Sequence, residues 1–161
     1  MQLKFPFNSS SPIFGEATVS IDKKIDHVFH YVGERFFDNY PKWAVEVIHF
    51  EPLEDNKHVF IGAKAKQIRK DNGTKIESVF EITDYEPHTR FGFQGINAPY
   101  KHTYLFENNE NNESTTFTFR FELLELDIFM RSFQKLIRVA IEDGAENVAE
   151  NIKNLVVAEC H

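Results

Sequence analysis

The alternation of apolar and polar positions along this chain changes period several times, and each change marks an element. Around residues 16–22, Ala17, Val19 and Ile21 share one side, the period-two pattern of a strand with one buried face. Ile25, Val28, Phe29 and Val32 then fall at helical spacing. Asp22 and Asp26 sit near the start and Gly33 at the expected end, where carboxylates and glycine favour helix termini. Phe36, Phe37 and Tyr40 predict a second short helical turn, closed by Pro41 and followed by Trp43. Alternation then resumes, predicting strands at 44–52, 59–70, 74–85, 89–94, 100–107 and 116–125. Asp71-Asn72-Gly73 marks a hairpin, and the polar run 107–113 an exposed tip. Finally Phe133, Ile137, Ala140, Ile141, Val148, Ile152 and Leu155 predict one long helix over about 128–158.

One strand, two short helices, six strands and a long helix define an α+β chain with an antiparallel sheet. A curved sheet of about seven strands has a concave face, and the long C-terminal helix is the element expected to cover it. Residues 16–158 read as a single domain, preceded by an N-terminal arm at 1–15. Ser9, Ser10, Ser11 and Pro12 make that arm loop-like, and Phe5, Phe7, Ile13 and Phe14 are expected to dock it on the body.

Composition sharpens the expectation about the interior. There are 17 Phe against 2 Met and 1 Trp, and phenylalanine has no polar atom, so these rings must be buried or line an apolar site. The net charge of −7 argues against a nucleic-acid phosphate footprint. Lys64, Lys66, Arg69 and Lys70 form a local basic strip, read as a solvated outer face. Cys160 is the only cysteine, so no internal disulfide is expected and a reducing compartment fits. No secretion signal is expected from the first residues, and no apolar run reaches the length of a membrane span. The sequons at Asn8, Asn72 and Asn112 then read as chance, and a cytoplasmic location is expected.

The order of elements resembles the helix-grip superfamily that includes START domains, the birch pollen allergen Bet v 1 and polyketide cyclase/dehydrase-like proteins. The resemblance rests on residues 17–22 with Ile25, Val28 and Phe29, on Tyr40-Pro41-Lys42-Trp43, on 59–70 with Gly62, and on 80–87 followed by Arg90 and Phe91. It implies a helix-grip fold with a small-molecule pocket between sheet and C-terminal helix. It implies no shared catalytic residue, metal or cofactor, and one fold hosts many functions.

Alternation places Phe117, Phe119 and Phe121, then His102, Tyr104 and Phe106, then Phe91 and Phe93, then Ser78, Phe80 and Ile82 on the inner face. Ala63, Ala65 and Gln67 follow on the next strand, where small residues leave room. The residues expected to line a pocket are Trp43, Ala65, Gln67, Phe80, Phe93, His102, Tyr104, Phe119, Phe133 and Ile137, with Trp43 near the mouth. An apolar wall with a few polar groups is the usual form of a small-molecule site. His102 and Tyr104 are the weak catalytic candidates, as a proton-transfer group and a hydrogen-bond donor. His27 and His30, near Asp26 and Glu34, read as a solvated face, because zinc needs three or four converging ligands. No metal or cofactor is expected. The leading expectation is binding of a hydrophobic small molecule, lipid-like or aromatic. The alternatives are a polyketide cyclase/dehydrase-type enzyme, and an interaction module similar to the Hsp90-activator relatives of the fold.

Overall fold

A computed structural model describes residues 12–54 and 57–160. Seven strands form one antiparallel sheet in the order β1-β7-β6-β5-β4-β3-β2. They are β1 (Ile13–Ile21), β2 (Val47–Pro52), β3 (Lys64–Asp71), β4 (Thr74–Glu86), β5 (Arg90–Gly95), β6 (Tyr100–Asn108) and β7 (Thr115–Leu123). Between β1 and β2 lie α1 (Ile25–Phe29), a π-helical turn (His30–Glu34) and α2 (Phe36–Trp43). After β7 a 3-10 segment (Ile128–Phe133) leads into α3 (Gln134–Glu159). This is the α+β architecture expected from the pattern, and the helix-grip fold that the resemblance implies.

The inner face follows the alternation strand by strand. Phe117 and Phe119 are buried on β7, Tyr104 and Phe106 on β6, Phe91 and Phe93 on β5, Phe80 and Ile82 on β4, and Ala65 and Gln67 on β3. Register stacks them into rows, with Ala65 opposite Phe80, Phe93 opposite His102, and His102 opposite Phe121.

The covering of this face differs from expectation. The long helix does not cover it alone. Phe36 of α2 inserts among Phe91, Phe93 and Phe80, with ring centroids 4.8, 5.2 and 6.1 Å away. Tyr40 and Trp43 continue the same stripe along α2, so aromatic packing fills the middle of the concavity. On α3 the buried residues are Ala145, Ala149, Ile152 and Val156, from the middle of the helix onward. Small residues there let helix and sheet approach closely. At Gly15 on β1, a Cβ would lie 2.6 Å from the Ile141 carbonyl oxygen.

Several boundaries shift for physical reasons. β1 starts at Ile13, because Ile13–Gly15 continue the ladder opposite Leu123, Glu122 and Phe121; residues 1–11 of the expected arm lie outside the described residues. Gly33 does not end a helix. It lies in the π-helical turn, where a Cβ would crowd the Phe29 ring at 3.0 Å. Pro41 does not close α2 either, since α2 runs on to Trp43. β3 begins only at Lys64, after Gly62 with φ +98°, a left-handed conformation suited to glycine that breaks the ladder.

Candidate functional site

Between the end of α2, the inner face of the sheet and α3, the packing leaves a cleft of about 360 Å³. Its floor is Trp43, His102, Tyr104, Phe119 and Phe121, and its roof is Ile137, Ala140, Ile141, Gly144, Ala145 and Val148 from α3. Glu46, Arg69 and Asp71 lie on its rim. The volume falls in the range of small-molecule pockets.

Five of the ten expected lining residues meet here: Trp43, His102, Tyr104, Phe119 and Ile137. Ala65, Gln67, Phe80 and Phe93 are fully buried on the same inner face, beside the floor and outside the cleft. Phe133 is half exposed and does not line the cleft. Trp43 is on the floor, not at the mouth, and is 1% exposed.

The rim was missed by the reading of Arg69 as outer face. Arg69 shares parity with Ala65 and Gln67, and β3 pairs with β4 without a bulge from Lys64 to Asp71. It therefore points inward like them, and the alternation alone could have found it. At the rim it stands 3.8 Å from Glu46, both partly exposed, a pair of small energetic weight.

The polar groups of the interior divide into those already satisfied and those not. Tyr40 donates to Gln67 Oε1 at 2.8 Å, and Gln67 Nε2 donates to the Tyr100 hydroxyl at 3.2 Å. That hydroxyl also bonds Ser78 Oγ at 2.8 Å. Both ends of the Gln67 amide thus serve the fold. Trp43 Nε1 donates to the Tyr104 hydroxyl at 3.3 Å. Indole can only donate, so Tyr104 accepts and keeps its own proton to give.

His102 is different. It is 7% exposed and enclosed by rings, with Phe93, Phe121 and Phe119 centroids at 4.3, 5.1 and 5.5 Å. Its Nδ1 is buried without a hydrogen-bond partner. Burial, followed by the charges of Arg69 and Lys101, lowers its pKa to about 3, so it is neutral near pH 7. Burial also raises the Tyr104 pKa well above the ordinary phenol value. Among the described residues, no group of three or more His, Cys, Asp or Glu is placed to hold a metal ion.

The chain belongs to the family described as polyketide cyclase / dehydrase and lipid transport, which it matches over residues 15–156. No curated protein sequence matches it. Among solved structures it is similar to TTHA0849 from Thermus thermophilus, at 16% identity and TM-score 0.72, covering 92% of this chain and 99% of that one. It is also similar to the Zhui aromatase/cyclase from Streptomyces sp. R1128, at 10% identity and TM-score 0.72, covering 92% and 95%. A third is the polyketide-cyclase-like Cgl2372 from Corynebacterium glutamicum, at 17% identity and TM-score 0.62, covering 92% and 94%. At these identities the likenesses show the fold.

Proposed function

We propose that the chain binds a hydrophobic small molecule in the cleft between the sheet and the first half of α3, with a hydrogen-bonding group of the ligand held near Tyr104 and His102. The observation that carries this reading is a largely apolar cleft whose floor includes two polar side chains, Tyr104 and His102. The His102 Nδ1 is buried without a partner, which costs about 1–3 kcal/mol, and a ligand that displaces the enclosing rings to reach it recovers part of that. An aromatic or lipid-like body fits the Trp43, Phe119, Phe121, Ile137 and Ile141 walls, and a carbonyl or hydroxyl fits the phenolic proton. The family description, which joins cyclases with lipid transport, is compatible with such a ligand.

The test is native mass spectrometry of gently purified protein, followed by a thermal-shift screen with lipids, sterols, quinones and polycyclic aromatics. A ligand that binds only the folded state must raise the midpoint. Absence of any carried molecule and of any shift across these classes would sink the proposal.

The enzyme reading has less support from the geometry. A proton-transfer group works best with a pKa near the working pH, whereas burial drives His102 and Tyr104 away from neutrality in opposite directions. Turnover of a polyketide-like substrate that disappears in both His102→Ala and Tyr104→Phe would reverse this preference.

A further inference from the structure

The entrance to α3 carries a surface that neither the core nor the cleft uses. Ile128, Phe129, Phe133, Leu136 and Val139 are 69, 83, 50, 69 and 54% exposed. Their turns also supply the roof of the cleft, since Ile137 and Ala140 line it. Large apolar side chains exposed together over the 3-10 segment and the first turns of α3 point to a contact site.

Charge identifies the partner. The chain as a whole carries −7, yet residues 128–141 contain Arg131, Lys135 and Arg138 and no acid. Residues 142–160 contain five acids (Glu142, Asp143, Glu146, Glu150, Glu159) and one Lys. This polarity opposes the helix macrodipole, which favours acids at the N-terminus and bases at the C-terminus. α3 has no acid in its first turn and no base in its last. Helix stability therefore does not account for the arrangement. Exposed Phe and Leu beside the exposed Lys135 and the partly exposed Arg138 is instead the pattern of a helix lying in the interface of an anionic bilayer, with rings in the acyl boundary and cations at the headgroups. Among the described residues no helix is long and apolar enough to cross a membrane, so contact through α3 would be with the surface.

We infer that the segment from Ile128 to Val139 docks the protein on an anionic lipid surface, with the roof of the cleft turned toward the bilayer. The docking does not depend on what the cleft holds. Two small-residue roof positions, Ala140 and Gly144, then lie beside the docked face, on the side from which an apolar molecule would leave the membrane.

The experiment is co-sedimentation of the full chain with phosphatidylcholine vesicles, with and without phosphatidylglycerol. Binding is expected on the anionic vesicles only, weakened by salt as surface charges are screened. Lys135→Glu should weaken it by more than about fivefold, the effect of roughly one lost basic contact. The double variant Phe129→Asp with Leu136→Asp should abolish it. Both residues are exposed and outside the cleft, so its thermal midpoint should stay near that of the parent. A Gly144→Phe variant, which obstructs the cleft, should lose ligand but still sediment, which separates this inference from the proposed function. No sedimentation with anionic vesicles, or equal sedimentation of the double variant, overturns the inference. So does a dimeric mass in solution that the double variant returns to monomer, which assigns the surface to a second copy of the chain.

Discussion

The indole N–H of Trp43, in the last turn of α2, donates to the hydroxyl of Tyr104 on β6 across 3.3 Å, and both side chains are essentially unexposed. This bond ties the aromatic plug of α2 to the cleft floor. At that length it is a long N–H···O bond, so its contribution should sit at the low end, about 1 kcal/mol. Tyr104→Phe leaves the indole N–H buried and unpaired, and should cost about 1–3 kcal/mol. Adding Trp43→Phe removes the stranded donor, so the double variant should be less destabilised than the sum of the singles. Urea unfolding of the four proteins in the cycle measures the coupling; strict additivity would mean that the two rings only pack.

His102 makes stability depend on pH in a calculable direction. Its folded pKa, about 3, lies below the ordinary 6.5, so below pH 6.5 the unfolded chain takes up a proton that the folded chain refuses. Stability is full above about 6.5 and falls as pH drops toward 3, by roughly 1.4 kcal/mol per unit at most. Asp38 and Glu159, whose pKa values are also lowered by their ion-pair partners, lose stability at the acid end of the same window. The difference between wild type and His102→Phe between about pH 5 and 6.5, above the ordinary carboxylate range, isolates the histidine. The variant should show a flatter profile there, read from urea midpoints. An unchanged slope would place the acid sensitivity elsewhere.

The seam between β1 and α3 is sensitive to a single methyl group. Gly15→Ala would place its Cβ 2.6 Å from a backbone oxygen of Ile141, which no side-chain rotation relieves. The helix must move or the strand bend, at about 1–3 kcal/mol. For a domain of this size that is a fall of roughly 2–4 °C in Tm per kcal/mol. Because Ile141 also roofs the cleft, the variant should bind a cleft ligand more weakly even at temperatures where it is fully folded. Calorimetry and ligand titration on the same sample check both halves.

Much of this was legible in the sequence, and the reasons are local. Period-two patterning fixes which side of each strand is buried, so the inward side of Phe117, Tyr104, Phe91 and Phe80 on their strands could be read from alternation alone. The same parity rule placed Arg69 inward, but the adjacent Lys64, Lys66 and Lys70 disguised it as part of an outer strip. What pattern could not supply was the division of the concave face between α2 and α3. Phe36 packing on Phe91 and Phe93 is a contact between residues more than fifty positions apart, and nothing in a local period encodes it. Phe80 and Phe93, expected in a pocket wall, are therefore covered by Phe36 beside the cleft, and Phe133, in helical register with Ile137, is half exposed outside it.

Gly144 offers the sharpest separation of stability from binding. It sits inside α3 and lines the cleft, and a Cβ there would meet no atom within 4 Å. Glycine in a helix interior costs about 0.8–1 kcal/mol relative to alanine, so Gly144→Ala should raise stability by about that amount. The single added methyl removes little of a cleft of about 360 Å³, and ligand binding should be nearly unchanged. Gly144→Phe places a ring in the same space. It should retain most of the stability gain through burial of apolar surface, while excluding any ligand that uses the roof. Thermal midpoints of both variants, with and without a ligand identified for the parent, give the comparison. If Gly144→Phe keeps the parental ligand shift, the ligand does not lie beneath α3, and the cleft is not the binding site.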